Sequence, residues 1–429
     1  MSPAPNPPQK SEANHGLPAP FFAPISIGGG GTLDNNGSSV QSEVCSSCQV
    51  DTETGEITEV EFHKDTFVKF LSLLPVQHRY SNLPTRQLCR KVALPTTALT
   101  EKGISGLTTC GNTYCCPTCG YARSVKNANK LISIMRNGAE DGREFLIGTL
   151  TTDTNKQNTY EQVEGIGYRF GRLRSNIYRW AKRQGGEVAI TYNADDTFQI
   201  EGLVKVHHHY HILVMTDGVI PLAVLRAKIW ELWEKQNRKA NIILSKRAFY
   251  LEPVNTTEAA IKYLYKTAFE VVGKDKVGWN GRMSISGLLS YIQETGDKRA
   301  IALYREFEAA TKGKNSFYIP PTMRRYLTED EEDNQTSGSE EEKEERITPR
   351  EIGQSVVSAL WSSNTFIYVN WLFRTANDED ERIKSLHSVL DLWEEEIKDE
   401  WNGYNEFVSL LQSWHRWAVF RWHIIEPEC

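Results

Sequence analysis

The chain has 429 residues, a formal net charge of −6 and 39% hydrophobic residues, enough for two or three domains with a sizeable core. No run of 18 apolar residues is present, so we expect no membrane span. The first residues lack a basic segment followed by an apolar one, so we expect no secretory signal and a cytoplasmic protein. There the eight cysteines should stay reduced or bind metal rather than form disulfides.

The negative net charge hides an uneven distribution. Residues 329–346 carry ten acidic and two basic side chains, and residues 350–429 carry fourteen acidic and seven basic ones, so the remaining chain has a net charge of +9. A basic body with acidic appendages is compatible with a partner that carries phosphate groups.

The amino-acid composition changes twice within the first third of the chain. Residues 1–43 are rich in Pro, Gly, Ser and Asn, which predicts disorder. Seven of the eight cysteines follow within 44–125, where we expect a cysteine-rich zinc module. Helical periodicity then begins at 122–138, and apolar and β-branched residues predict a buried strand at 144–152.

The rest of the chain alternates between helices and strands. A basic amphipathic helix is predicted at 159–184, and two strands at 187–193 and 197–215 are predicted to be separated by a turn at Asn-Ala-Asp-Asp. Further predicted elements are a helix at 220–236, a strand at 248–254, a helix at 256–270, an acidic linker at 329–349 and a Trp-rich helical domain at 350–429. The order lacks a regular βαβ rhythm, which favours an α+β fold with a central antiparallel sheet flanked by helices across 126–328.

Four of the ten histidines fall within residues 207–211. Alternate residues of a strand lie on the same face, so His207, His209 and His211 share a polar face, and His208 lies on the apolar one. Imidazoles at alternate strand positions can bind one divalent cation. His207 is the candidate third ligand, and Glu201 is its rival.

The predicted helix at 256–270 contains two tyrosines. Helical angles place Tyr265 with the apolar residues and Tyr263 beside the charged side, about one turn from Lys266. A tyrosine beside lysines can act as a nucleophile, because nearby cations favour the phenolate. An ordinary amphipathic helix explains the same pattern when it is taken alone.

Together these motifs resemble the HUH endonuclease superfamily, and in their order and spacing the rolling-circle replication initiators of small plasmids. The trio His209-Tyr210-His211 resembles the family's two histidines flanking a hydrophobic residue. The strand at 144–152 resembles its first motif, an apolar strand that ends in threonines. The segment KYLYK at 262–266 resembles the core of its third motif.

The resemblance implies the HUH fold and a site-specific DNA nickase that cuts and rejoins one strand at an origin. Magnesium or manganese would polarise the scissile phosphate, Tyr263 would attack it to leave a 5′-phosphotyrosine, and Lys266 would stabilise charge. Family members carry a water-activating glutamate four residues before the tyrosine. Ala259 occupies that position here and Glu258 lies one step away, so Glu258 is only the candidate for that role.

The cysteines contain two C-x-x-C pairs, Cys45 with Cys48 and Cys116 with Cys119. Two such pairs can complete a tetrahedral zinc site, and some plasmid initiators have a similar cluster before the first motif. A redox pair is the alternative, but no thioredoxin-like βαβ pattern surrounds the turn. The expected ligands are Cys116, Cys119 and Cys110, with Cys45, Cys48 and Cys89 competing for the fourth place.

The C-terminal segment carries Trp414, Trp417 and Arg421 at helical spacings. Such residues can stack on bases, but tryptophans at these spacings more often fill a core. We expect a small helical domain for self-association or for binding host factors.

Three functions compete. The leading one is a replication initiator that binds single- and double-stranded origin DNA. Because no G-x-x-x-x-G-K-[ST] loop is present, it would need a host helicase as well as a polymerase. The second is a transposase or relaxase with the same chemistry. The third is a zinc-containing DNA-binding regulator without catalysis.

Overall fold

The computed structural model describes residues 48–50, 57–60, 64–152, 158–202, 204–254, 282–328, 348–376, 379–398 and 402–425. Antiparallel sheets are flanked by helices in this structure, so the predicted α+β class is confirmed.

The cysteine-bearing part consists of short elements. They are β1 (Cys48–Val50), β2 (Ile57–Val60), α1 (Lys64–Ser72), α2 (Leu74–Tyr80), α3 (Pro84–Gln87), β3 (Ala93–Thr100) and β4 (Gly103–Leu107). Strands β1 and β2 pair with each other, and β3 and β4 form an antiparallel hairpin. The hairpin brings two stretches of chain side by side, because Thr108 donates its backbone N–H to the Val92 carbonyl at 2.9 Å.

The central part is built around one antiparallel sheet. Its elements are α4 (Pro117–Glu140), β5 (Glu144–Thr151), α5 (Thr159–Arg183), β6 (Val188–Gln199), β7 (Lys205–Thr216), α6 (Leu222–Arg238), β8 (Phe249–Pro253), β9 (Arg282–Met283), α7 (Ile285–Thr295), α8 (Lys298–Ala310), β10 (Phe317–Tyr318) and α9 (Pro321–Arg324). The strand order is β10-β6-β7-β5-β8, with β9 also paired to β6.

The two faces of this sheet are covered differently. On one face, Phe170 of α5 packs against Tyr210 of β7, with the ring centroids 5.0 Å apart. On the other face, Leu131 and Met135 of α4 share a hydrophobic cluster with Leu213 of β7. Leu213 has the same strand phase as His207, His209 and His211, so this packing of described residues lies on the later part of the face that carries these histidines.

The C-terminal part is helical, as its sequence predicts. It comprises β11 (Arg350–Glu351), α10 (Gln354–Ser362), α11 (Phe366–Thr375), α12 (Glu381–Leu392), a π-helical turn (Trp393–Ile397) and α13 (Gly403–Ile425). Strand β11 pairs with β3, and one cluster of buried side chains runs from Phe67 to Ala418. The ranges 44–125, 126–328 and 350–429 therefore share a core. Trp414 is buried in it, and its Nε1 donates to the Arg382 carbonyl at 3.1 Å.

One predicted boundary is wrong. The Asn-Ala-Asp-Asp segment, predicted to be a turn, lies inside β6, which runs unbroken from Val188 to Gln199. The chain reverses after Gln199 and returns at Lys205, so Glu201 lies outside both strands and is exposed. The predicted helix at 256–270 and the predicted acidic linker lie outside the described residues, except for the end of the linker at 348–349. Among the helices that the structure describes, none has the length and apolarity needed to cross a bilayer.

Candidate metal centres

The first candidate centre lies where β6 and β7 run side by side. Asp195 of β6 is paired directly with His209 of β7, and His211 lies two residues further along the same face. One ligand atom from each of these three side chains lies within 4.8 Å of the others. Asp195 is 3% exposed and His211 8% exposed, so the group sits in the sheet surface rather than in open solvent.

The spacing of these atoms fits a single cation. Asp195 Oδ2 lies 3.2 Å from His209 Nε2 and 3.7 Å from His211 Nε2. Bonds of about 2.1 Å from one ion to nitrogen and oxygen ligands would separate neighbouring ligand atoms by about 3.0–3.4 Å. A carboxylate with two imidazoles is a donor set that can bind a divalent cation. We call this group the Asp–His centre.

Strand β5 supports the histidines from the other side. Thr149 and Thr151 are paired with His211 and His209 in the sheet. The Thr149 hydroxyl lies 3.2 Å from His211 Nδ1, which leaves Nε2 directed at Asp195. A partner on the second ring nitrogen fixes the orientation of a ligating imidazole. The threonines at the end of the predicted strand are therefore next to the histidines.

The side chains of the Asp–His centre shift one another's pKa values. Burial alone would raise the pKa of Asp195, but His209 and His211 outweigh it and hold that pKa below its usual range. Burial lowers the pKa of His209, whereas Asp195 raises it, and the net pKa is above the usual range. Without a metal, Asp195 is thus paired with a proton on His209, and a cation at this place would take over the position of that proton between the carboxylate oxygen and the ring nitrogen.

The structure does not group the predicted third ligands with this pair. His207 shares the face, but its Nε2 lies 3.0 Å from the Thr151 hydroxyl. Burial, together with His209 and Arg282, places the pKa of His207 well below its usual range. Glu201 is exposed beyond the end of β6. Asp195 occupies the place for which both were candidates.

His208 lies on the opposite face of β7, as its strand phase predicts. It is 1% exposed, and its Nδ1 lies 2.6 Å from Asp196 Oδ1. Two adjacent Asp–His pairs thus face opposite sides of the sheet. The remaining predicted site residues, Tyr263, Lys266 and Glu258, lie outside the described residues.

The second candidate centre is a group of four cysteines, which we call the four-cysteine centre. Cys116 precedes Pro117, the first residue of α4, and Cys119 follows within the first turn. Cys89 and Cys110 come from the two chain segments that the β3–β4 hairpin brings together. The structure therefore groups the three expected ligands with Cys89.

The geometry of the four-cysteine centre fits a tetrahedral metal and not a disulfide. Cys89 Sγ lies 3.8 Å from Cys116 Sγ and 3.7 Å from Cys119 Sγ, and Cys110 Sγ lies 3.7 Å from Cys119 Sγ. A disulfide needs about 2.05 Å, whereas four sulfurs at about 2.3 Å from one zinc ion are about 3.8 Å apart. The Cys110 backbone N–H also donates to Cys89 Sγ at 3.4 Å, which stabilises a thiolate.

Among the cysteines whose side chains the structure describes, Cys115 is outside this group. Cys115 is buried beside the Thr311 hydroxyl at 3.4 Å, and burial raises the pKa of its thiol to about 12. Cys45 lies outside the described residues, and of Cys48 only the backbone position in β1 is described. Sequence spacing could not choose between Cys89 and the early pair, because the choice depends on the hairpin.

Asp195 is the candidate ligand that the sequence patterns did not single out. Its neighbours Asn193 and Asp196 made the segment look like a turn. A usable signal was present, since a strand of twelve residues on each side of one reversal places Asp195 opposite His209. Comparison with known proteins finds no matching family model, no matching curated protein and no matching solved structure.

Proposed function

We propose that this chain is a metal-dependent DNA strand transferase that cuts and rejoins single-stranded DNA, in the manner of a rolling-circle replication initiator with an HUH fold. The observation that carries the proposal is the Asp–His centre, because a buried carboxylate and two imidazoles converge there on one face of the sheet. A divalent ion bound there would polarise an oxygen of a scissile phosphate.

The proposed chemistry is a transesterification. The phenol oxygen of Tyr263 attacks phosphorus, the bond from phosphorus to the 3′ oxygen breaks, and the phenolic proton is transferred to solvent while the leaving 3′ oxygen gains one. The products are a 5′-phosphotyrosine and a free 3′-OH. Lys266 stabilises the charge that develops on the phosphate, and Glu258 is the candidate for activating water in a later hydrolysis.

The chain's own residues prepare the site for this step. Asp195 supplies a carboxylate oxygen 3.2 Å from His209 Nε2 and 3.7 Å from His211 Nε2, where one cation would bind all three side chains. Thr149 fixes the ring of His211, and Thr151 holds His207 beside His209. The basic charge of residues 1–328 attracts the DNA backbone. Metal-assisted cleavage explains this arrangement, whereas a purely DNA-binding regulator has no need of it.

The test is formation of a covalent protein–DNA adduct. Wild-type protein is incubated with Mn²⁺ and long single-stranded DNA of mixed sequence, and the adduct is detected after denaturation in detergent. We expect an adduct that EDTA and Tyr263→Phe abolish and Tyr265→Phe preserves. Asp195→Asn should abolish it and weaken Mn²⁺ binding at least about tenfold.

The matched control for Asp195 is Glu201→Gln, which removes the exposed carboxylate that the sequence offers, as the rival of His207, for the third ligand position. We expect Glu201→Gln to keep wild-type Mn²⁺ affinity and adduct yield. Wild-type yield in Asp195→Asn, or an adduct that survives EDTA, would refute the assigned centre. Absence of any adduct in the wild type would favour the DNA-binding regulator.

We also propose that the four-cysteine centre holds zinc in a structural role. Four sulfurs at tetrahedral spacing leave no open coordination position for a substrate. Zinc is the metal that four cysteine thiolates in this geometry most commonly hold.

A further inference from the structure

Helix α5 carries a row of exposed cations, Arg172, Arg179, Lys182 and Arg183, which we call the α5 stripe. Their spacings of seven, three and one residues keep them on one side of a helix with 3.6 residues per turn. The stripe extends over about 16 Å, at 1.5 Å per residue. That length covers several phosphates of a nucleic-acid strand, whose duplex rise is about 3.4 Å per nucleotide.

The α5 stripe lies on the other side of the sheet from the Asp–His centre. Phe170 of α5 packs against Tyr192 and Tyr210, with ring centroids 5.1 and 5.0 Å away. Both tyrosines belong to the sheet face that carries His208, opposite to His209. The exposed side of α5 therefore points away from the Asp–His centre, and one strand of DNA in that centre leaves the stripe uncovered.

The charges of the α5 stripe are not neutralised within the part of the chain that the structure describes. None of the four side chains forms an ion pair there, and the sequence from 165 to 186 contains no acidic residue. Their hydrogen bonds go to neutral groups. Arg172 Nε donates to the Tyr168 hydroxyl at 3.1 Å, and Arg179 Nη2 donates to Asn176 Oδ1 at 2.8 Å. Such a row is complementary to an anionic polymer.

We propose that the α5 stripe binds the phosphate backbone of duplex DNA. A single strand held at the Asp–His centre lies on the other side of the sheet from the stripe, so the stripe is available to the phosphate backbone of a duplex. Three tyrosines of α5, Tyr160, Tyr168 and Tyr178, are 57%, 64% and 48% exposed, and the Arg172 guanidinium lies 5.3 Å from the Tyr168 ring centroid. Exposed aromatics can stack on unpaired bases, so a single strand is the competing ligand that the test separates. This inference rests on the proposed function, which specifies that the nucleic acid is DNA.

Binding is measured by fluorescence anisotropy with a labelled duplex of mixed sequence over a series of KCl concentrations. The variant Arg172→Gln/Arg179→Gln removes two cations from the stripe. We expect its duplex affinity to fall at least about tenfold, and the slope of log affinity against log salt to become less steep by about two. The matched control is Lys298→Gln/Lys312→Gln, which removes two exposed cations at the ends of α8 and should bind like the wild type.

Three results of the duplex-binding measurement would overturn the proposal. They are a wild type that does not bind duplex, a stripe variant with the wild-type salt slope, and a control with the same loss as the stripe variant. Adduct formation on single-stranded DNA separates this proposal from the proposed function. A stripe-dependent slope without any adduct would refute the strand transferase alone. Loss of the adduct in the stripe variant would assign the stripe to the single strand and refute the duplex assignment.

Discussion

A single buried histidine links the four-cysteine centre to the C-terminal helices. His78 Nε2 lies 2.8 Å from the carbonyl oxygen of Cys89, and its ring meets Trp361 edge-on with the centroids 5.3 Å apart. Burial, reinforced by the charge of Lys91, lowers the pKa of His78 to about 4. The neutral ring is thus part of the folded state, and protonating it works against folding.

The substitution His78→Gln should make stability less dependent on pH. Between pH 6.5 and about 4, the unfolded chain binds a proton on His78 that the folded chain excludes. The contribution of His78 to the free energy of unfolding is therefore fully present above pH 6.5 and decreases as the pH falls. A pKa lowered from 6.5 to about 4 corresponds to about 3 kcal/mol. Urea unfolding measures the free energy of unfolding at pH 7 and pH 4. The decrease between the two pH values should be smaller in His78→Gln than in the wild type, by up to about 3 kcal/mol. Equal losses in both proteins would contradict the buried neutral imidazole.

At the scale of elements, the sequence predicts how β7 presents its side chains but not where β6 ends. Alternation alone places His209 and His211 on one face and His208 on the other, and the structure agrees. Asp195 and Asp196 disfavour a strand by propensity, yet each gains a histidine across the ladder. Cross-strand pairs of this kind outweigh the low strand propensity of the two aspartates. The sequence of β6 alone does not predict them, because they depend on β7.

A second feature of the sheet is the close approach of β8 to β5 at Gly148. A Cβ built on Gly148 would lie 1.9 Å from the Tyr250 carbonyl oxygen, whereas one on Gly171 of α5 would meet nothing within 4 Å. Gly148→Ala should lower the free energy of unfolding by at least about 1–3 kcal/mol. Gly171→Ala should raise it by about 0.5–1 kcal/mol, because alanine favours the helix. Urea unfolding tests both, and a Gly148→Ala protein as stable as the wild type would contradict the close packing.

At the scale of the whole molecule, the part of the chain that carries the four-cysteine centre packs directly against the sheet and its helices. The ring of Tyr114 lies 6.2 Å from that of His208, and the Tyr114 hydroxyl donates to the Asn315 carbonyl at 3.2 Å. Arg86 and Glu308 form an ion pair at 2.7 Å, and both side chains are at most 2% exposed. The chain that carries the cysteines therefore packs against the side of the sheet behind the Asp–His centre.

Removing one ligand of the four-cysteine centre should therefore weaken the whole fold. Cys89→Ser should lose its zinc and unfold at a markedly lower temperature, because zinc binding contributes about 10–16 kcal/mol in small zinc domains. Cys115→Ser is the matched control, since Cys115 is buried nearby but outside the group, and it should retain one zinc per chain. Metal analysis and thermal unfolding measure both. Zinc absent from the wild type would refute the assignment.

Sequence could predict the helices of the C-terminal part but not their attachment. The pairing of β11 with β3 joins Arg350 to Leu99, and Asn370 Oδ1 accepts from the Ile104 backbone N–H at 3.0 Å. Contacts between residues this far apart leave no local periodicity or composition signal. For the same reason, the spacing of the cysteines in the sequence could not identify Cys89 as a ligand, because the β3–β4 hairpin places it beside Cys110.

The pairing of β6 with β7 also limits how the length of this chain can vary through evolution. The two strands pair through twelve consecutive residues without a bulge. An insertion in the connection after Gln199 would lengthen the loop and leave Asp195 opposite His209. A single residue inserted within either strand would turn every following side chain to the opposite face, exchanging metal ligands with core residues. Within residues 188–216, length variation among descendants of this chain should therefore concentrate in that connection, where added residues leave the Asp–His centre intact.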